Sequence, residues 1–88
     1  MDNYITNVIF RTFKDNDEVI ALFPNIPETN GACLSYLHVG QHGGADYKTV
    51  IRATRPATPK EYQTLQQELT LIGYRLNVQH KKKRNSTV

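Results

Sequence analysis

The chain has 88 residues, of which 11 are lysine or arginine and 8 are aspartate or glutamate. This length predicts one small domain, which we expect to span residues 1–80. The only cysteine, Cys33, excludes an internal disulfide. No apolar run is long enough for a signal peptide or a membrane span, so we expect a cytoplasmic protein that neither is exported nor spans a membrane.

The basic charge is concentrated at the C-terminus. The net charge of +3 includes four positive charges from Lys81, Lys82, Lys83 and Arg84, and without them seven basic residues face eight acidic ones, a net −1. Residues 81–88 lack an apolar period and are predicted to be disordered. This tail predicts weak, sequence-independent contact with nucleic-acid phosphates, and the alternative is a terminus that only interacts with solvent.

Three strands are predicted in the first half of the chain. The segment Tyr4–Phe13 is rich in β-branched and aromatic residues, and the turn sequence "KDND" joins it to Val19–Phe23 as a hairpin. The second of these strands is apolar at every position, which indicates a strand covered on both faces. A third strand is predicted over Cys33–Val39, after a loop that contains two prolines.

The segment "GQHGGADYKTVIRAT" is interpreted as a loop over residues 40–46 followed by a fourth strand, Tyr47–Thr54. On such a strand Lys48 and Arg52 share one face, with Arg55 just beyond it. These three cations are a secondary candidate surface for phosphates. The alternative is a charged strand edge that discourages aggregation.

The clearest local signal predicts a helix over Pro59–Ile72. Thr58 is in the N-cap position, proline occupies the first turn, and Glu61 completes a capping box. Gly73 supplies a residue for the left-handed conformation that ends many helices. The apolar residues recur at helical spacing: Tyr62, Leu65, Leu69 and Ile72.

A last strand is predicted in "YRLNVQH", with its apolar side chains on one face. The element order β-β-β-β-α-β predicts an α+β domain, in which one helix (about 59–72) packs on one face of a mostly antiparallel sheet of about five strands. Both sheet faces carry apolar residues, and one helix covers only one of them. A second copy of the chain is the simplest cover for the other face, so we expect a homodimer.

The stretch "YLHVGQHGGADY" raises the question of a functional site. His38, His42 and Asp46 are metal-ligand types, but their spacing matches no zinc or iron pattern. The glycine-rich backbone at Gly43 and Gly44 could form a nest of N–H groups for an anion, with charge from Lys48 or Arg52. It lacks the lysine and hydroxyl of a phosphate-binding loop, and no predicted helix begins after it.

Catalysis is a third interpretation of the same stretch. A histidine suits proton transfer near neutral pH, and Cys33, Ser35 or Tyr36 are candidate partners for His38. In a regular strand, however, Cys33 and Ser35 point away from His38. The simplest interpretation is a loop between strands, in which the glycines make the turn and His42 is exposed. We therefore predict no catalytic residue, cofactor or metal.

Three segments, "CLSYLHVGQHGGADY", "TRPATPKEYQTLQQEL" and "IGYRLNV", together resemble a group of short bacterial reading frames, some associated with phage-like or other mobile elements. The similarity covers nearly the whole chain as far as Val78. The resemblance implies a self-contained cytoplasmic bacterial domain, and it implies no activity and no catalytic residue.

These observations predict a small non-enzymatic binding or accessory module, homodimeric, with a nucleic acid or another protein as its partner. The alternative is an enzyme, or a protein that binds a small ligand or anion, using the His38–His42 loop. An exposed His42 on a flat surface favours the binding module, and deep burial of His38 in a concave pocket, with a perturbed pKa, favours the enzyme.

Overall fold

The computed structural model describes residues 5–28, 31–37 and 42–79. Six strands and two helices occur in these ranges, and they confirm the α+β class. The strands are β1 (Thr6–Phe13), β2 (Val19–Pro27), β3 (Cys33–Tyr36), β4 (His42–Ala45), β5 (Thr54–Pro56) and β6 (Leu76–Gln79). The helices are α1 (Tyr47–Ala53) and α2 (Pro59–Ile72). Neither described helix is long and apolar enough to cross a lipid bilayer.

The strands form one sheet in the order β4-β3-β2-β1, and β1 has two further neighbours along its other edge. The first half of β1 pairs with β6 in parallel, and its second half pairs with β5 in antiparallel fashion. All other pairings are antiparallel. The mostly antiparallel sheet is therefore as predicted, and β1 is its most highly connected strand.

The predicted hairpin joins β1 and β2. The turn is closed by a hydrogen bond of 2.8 Å from the Phe13 N–H to the Glu18 carbonyl, and Asp17 adopts a positive φ of 61°. The second strand continues beyond Phe23 as far as Pro27, although the prolines were expected to end it. A shift in the β2–β3 register lies between these two residues, and such irregular positions tolerate a residue without an N–H group.

One face of the sheet packs against α2, as the sequence predicted. Leu65 and Leu69 are buried in this core, and the ring of Tyr62 stacks on Phe10 with centroids 4.4 Å apart. Ile72 is the exception on the predicted stripe, because it is 52% exposed. The strand residues of this core are Val8, Phe10, Ala21, Phe23 and Tyr36, with Tyr74, Leu76 and Val78 packed against it.

The predicted ends of α2 are confirmed. Glu61 N–H donates to Thr58 Oγ1 at 3.3 Å and Thr58 N–H donates to Glu61 Oε1 at 2.9 Å, so both halves of the capping box form. Gly73 has a φ of 126°, which side chains rarely tolerate, and its N–H donates to the Leu69 carbonyl. The chain can therefore leave the helix sharply and enter β6.

The prediction of a fourth strand over Tyr47–Thr54 is wrong, because this segment forms α1. Asp46 caps the helix by accepting a hydrogen bond from the Thr49 N–H. Tyr47, Val50 and Ile51 recur at helical spacing and pack against the second sheet face. The buried residues of that face are Ile9, Ile20, Leu22 and Cys33.

The helix α1, which was not predicted, removes the reason for expecting a homodimer. The apolar face that seemed to need another copy of the chain is covered by the chain's own α1. The all-apolar strand was correctly predicted to be covered on both faces, because Ile20 and Leu22 face α1 while Ala21 and Phe23 face α2. The homodimer itself stays a prediction.

Candidate functional site

His42 belongs to β4, although the sequence placed it in a loop. The strand pairs with β3, so that His42 lies directly opposite Tyr36, and their ring centroids are 4.6 Å apart. Because Tyr36 is fully buried on the α2 side, its cross-strand partner lies on that side as well. His38, with the rest of residues 38–41, lies outside the described residues.

Two hydrogen bonds connect this strand pair to the C-terminal part of the chain. His42 Nε2 lies 3.0 Å from the Tyr74 hydroxyl, and the Tyr36 hydroxyl donates to Glu68 Oε2 on α2. The Tyr74 ring also stacks on Phe23, with centroids 5.1 Å apart, and burial raises the pKa of the Tyr74 hydroxyl. We name Tyr36, His42, Glu68 and Tyr74 the His42 cluster.

Of the three candidate partners, Tyr36 belongs to the His42 cluster, whereas Cys33 and Ser35 lie outside it. Cys33 is buried among the side chains that face α1, on the other side of the sheet. Ser35 alternates with Tyr36 and donates a hydrogen bond of 3.0 Å to the Gly43 carbonyl. The arrangement therefore gives His42 a hydrogen-bonded tyrosine, and neither the serine nor the cysteine is placed for nucleophilic catalysis with it.

Of the three candidate metal ligands, His42 and Asp46 lie among the described residues and His38 does not. No group of three potential ligand side chains occurs within the ranges that the structure describes. Asp46 is engaged at the start of α1, where hydrogen bonds from Thr49 hold the pKa of its carboxyl below the ordinary value. Its carboxylate serves the helix cap, while His42 turns towards Tyr74.

The anion-nest interpretation required the glycines to turn the backbone. Gly43 and Gly44 lie instead in the regular ladder between β3 and β4. Neither has the positive φ that occurs at Gly31 and Gly73. A nest needs neighbouring residues of alternating handedness, so these two glycines do not form one in this structure.

The basic side chains of α1 form a separate candidate surface. Lys48 and Arg52 are exposed and lie four residues apart, hence on the same side of the helix. The Lys14 ammonium lies at the C-terminal end of α1, 3.4 Å from the Arg52 carbonyl oxygen. We name Lys14, Lys48 and Arg52 the basic face. The predicted pairing of Lys48 with Arg52 on one face holds, although a helix rather than a strand produces it.

Arg55, in contrast, is neutralised within the domain. Its guanidinium donates two hydrogen bonds to the Glu61 carboxylate, at 2.9 and 2.6 Å, and lies 3.8 Å from Asp17. The hydrogen bond with Glu61 raises the pKa of Arg55, and the same contact lowers the pKa of Glu61 to about 2. These two hydrogen bonds attach the start of α2 to β5, and because Arg55 is paired it does not belong to the basic face.

Arg11 has a structural role that the sequence analysis missed. It is buried, and its Nε donates to Thr54 Oγ1 while Nη2 donates to the carbonyls of Ile51 and Thr54. Burial lowers the pKa of the guanidinium, and Tyr47 partly offsets this effect. Arg11 therefore fixes the C-terminal end of α1 against the sheet. The available signal was an arginine that directly follows the apolar run over residues 8–10 within a predicted strand.

Comparison with known proteins gives the chain no relative. No family model, no curated protein and no solved structure matches it. The resemblance to bacterial reading frames stays a prediction. The functional argument therefore depends on the geometry and charge of the chain itself.

Proposed function

We propose that the protein is a small non-enzymatic module that binds nucleic acid through the phosphate backbone. The contact is made by the basic face, with additional charge from the segment Lys81–Arg84, which lies outside the described residues. The observation that carries the proposal is the distribution of cations: Lys14, Lys48 and Arg52 gather around α1 and are exposed. Phosphate contacts of this kind require exposed cations and no cavity.

The acidic side chains favour the same orientation. Glu18, Glu61 and Glu68 line a shallow cleft beside α2. The two helices lie on opposite faces of the sheet, since each packs against a different core cluster. Because Glu61 is paired with Arg55, the remaining negative charge in this cleft comes from Glu18 and Glu68. A polyanion is therefore attracted more strongly to the α1 side than to the α2 side, which orients the domain as it approaches. Asp46 lies close enough to the basic face for Arg52 and Lys48 to add to the lowering of its carboxyl pKa by the Thr49 hydrogen bonds, so it offsets part of the positive charge.

The expected binding is weak and independent of sequence. Each neutralised phosphate contributes about −0.9 to the log–log salt slope on duplex DNA, so four tail cations give roughly −3 to −4 and the basic face adds up to about −3. Contacts to phosphates position a protein without reading bases. We expect DNA and RNA of different sequence to compete equally.

The test is a titration of fluorescent DNA and RNA by anisotropy at low and at physiological salt. The full chain is compared with Lys48→Ala/Arg52→Ala, with a chain ending at His80, and with Lys60→Ala as a matched control on α2. We expect the double variant to lose about two units of salt slope, the truncated chain to lose three to four, and the control to match the full chain.

Three results would count against the proposal. If the full chain fails to bind at low salt, nucleic-acid binding is excluded. If the double variant binds with an unchanged slope, the basic face is not the contact. If the truncated chain binds as tightly as the full chain, the tail serves only as a charged terminus.

The alternative of an enzyme or small-ligand site over residues 38–42 has less support. His42 is exposed and its ring nitrogen is engaged by Tyr74, the arrangement expected of a surface residue rather than of a buried general base. The proposal includes a cytoplasmic location, in which the buried thiol of Cys33 stays reduced. A homodimer would double the number of basic faces, but the proposal does not require one.

A further inference from the structure

A cleft lies at the end of the sheet where β1 begins, far along the strand from the basic face. It has a volume of about 630 Å³ and lies where α2 connects to β6 through Gly73. Small-molecule sites in proteins typically measure roughly 300–1,000 Å³, combine apolar walls with a few polar groups, and bury most of the ligand. The cleft meets the first two of these conditions.

Two large apolar side chains in the walls of the cleft are exposed to solvent. Ile5 is 61% exposed and Ile72 is 52% exposed, and both line the cleft. Ile72 lies on the apolar stripe of α2, yet it is not packed into the core as the rest of that stripe is. Two exposed isoleucines that face one concavity indicate a surface that an apolar group covers.

A row of three asparagine side chains crosses the neighbouring strands and reaches the cleft. Asn77 Nδ2 donates to Asn7 Oδ1 at 2.9 Å, and Asn7 Nδ2 donates to Asn25 Oδ1 at 2.6 Å. Each amide therefore donates in the same direction along the row. The last one, Asn25, is a lining residue of the cleft, and its Nδ2 group has no acceptor among the described residues. Within the described part of the chain, the row therefore ends in an N–H donor.

The charge of the lining specifies the ligand further. Arg75 is exposed, it is the one charged side chain in the lining, and it has no ion-pair partner within the described part of the chain. Among the described residues, the lining contains no carboxylate that could bind a cation. A guanidinium binds a carboxylate through two parallel hydrogen bonds, which gives this ligand an advantage over a neutral one of the same shape.

We propose that this cleft is a binding site for a small organic carboxylate with an aliphatic chain. The carboxylate binds the Arg75 guanidinium, and the aliphatic chain lies against Ile5 and Ile72. The Asn25 amide provides a donor for a further polar group. Tyr74 belongs both to this lining and to the His42 cluster, so an occupied cleft also contacts the residue that His42 binds. The site is independent of the proposed nucleic-acid contact.

The test uses sodium octanoate as the probe, with octylamine and octanol as charge controls of equal chain length. Amide NMR spectra of the full chain are recorded during each titration. We expect saturable shifts at Gly73, at Arg75 and at the Asn25 side-chain amide with octanoate. Octanol should bind more weakly, and octylamine weakest.

Two variants separate the proposed contact from general hydrophobic binding. Arg75→Ala should weaken octanoate binding by roughly tenfold, the size expected when one charge-assisted contact is lost. Arg52→Ala, which removes the same charge from the basic face, should bind octanoate as the unaltered chain does. An absence of saturable shifts, an equal response to octylamine, or unaltered binding by Arg75→Ala would overturn the proposal.

Discussion

The contact between Arg11 and α1 can be tested by the substitution Arg11→Lys. The lysine keeps the positive charge and much of the aliphatic stem, but its single ammonium cannot span the three acceptors that the guanidinium reaches. These acceptors are Thr54 Oγ1 at 2.9 Å, the Thr54 carbonyl at 2.9 Å and the Ile51 carbonyl at 3.2 Å. The substitution therefore isolates hydrogen-bond geometry from charge.

The expected loss of stability follows from the number of contacts. A lysine retains one of the three hydrogen bonds, so two charge-assisted bonds are lost, each with a net value of about 1.5–3 kcal/mol. The contact to Ile51 is only partly buried and water can replace it in part. We therefore expect the free energy of unfolding to fall by about 2–4 kcal/mol, a large share of the total for a small domain.

The measurement is urea denaturation at constant pH, followed by circular dichroism. Arg52→Lys is the matched control, because it makes the same replacement on the exposed side of α1, and it should change the free energy of unfolding by no more than about 0.5 kcal/mol. If Arg11→Lys changes it as little as the control does, the guanidinium contacts do not hold α1 on the sheet.

Three further predictions concern pH, the histidines and assembly. The folded-state pKa of Glu61 is lowered from its ordinary 4.5 to about 2, so its contribution to stability is complete above pH 4.5 and is lost as the pH falls towards 2. The free energy of unfolding, measured against pH, should therefore be higher for the full chain than for Glu61→Gln above pH 4.5, and the two values should converge as the pH falls towards 2. Replacing His38 and His42 together with alanine should leave the chain folded by circular dichroism, and elemental analysis of untagged protein should find no stoichiometric metal, whereas one zinc, iron or nickel per chain would revive the metal site. A homodimer predicts twice the 10.1 kDa chain mass in light scattering at micromolar concentration, and a monomer at high concentration would contradict it.

The helix α2 could be predicted to the residue because its signals are local. Thr58 and Glu61 are three positions apart, and Gly73 follows directly on the last helical residue. The alternation of side chains between the two faces of β3 is also a local signal, and it correctly placed Tyr36 and Cys33 on opposite faces of the sheet. Signals of this kind act within one turn or one strand, and therefore they survive in the sequence alone.

The helix α1 was missed because its stability comes from outside its own segment. Thr49, Val50 and Ile51 are β-branched and favour a strand when they are considered alone. The helix forms because Asp46 caps it and because Arg11, 43 residues before Thr54, binds its last turn. Tertiary contacts override a weak local preference in such cases.

The candidate site was predictable only in part, for a similar reason. The sequence drew attention to His42 and to the pair of α1 cations, but not to the partners of His42. Tyr74 is 32 residues from His42, as Glu68 is from Tyr36. No motif spacing in the sequence connects residues at this separation, because the connection depends on the sheet register and on where α2 crosses it.

The parallel pairing of β6 with β1 has a consequence for the synthesis of the protein. Asn7 and Asn77 are 70 residues apart in the chain but neighbours in the sheet, so β1 cannot pair with β6 until Leu76–Gln79 has been translated. Until then the edge of β1 that β6 will occupy is open on the nascent chain, where unpaired strands tend to associate with other chains. Contacts over such distances also slow folding. We therefore expect that a stop codon before Leu76 yields aggregates rather than a shortened domain, because β1 then keeps an open edge.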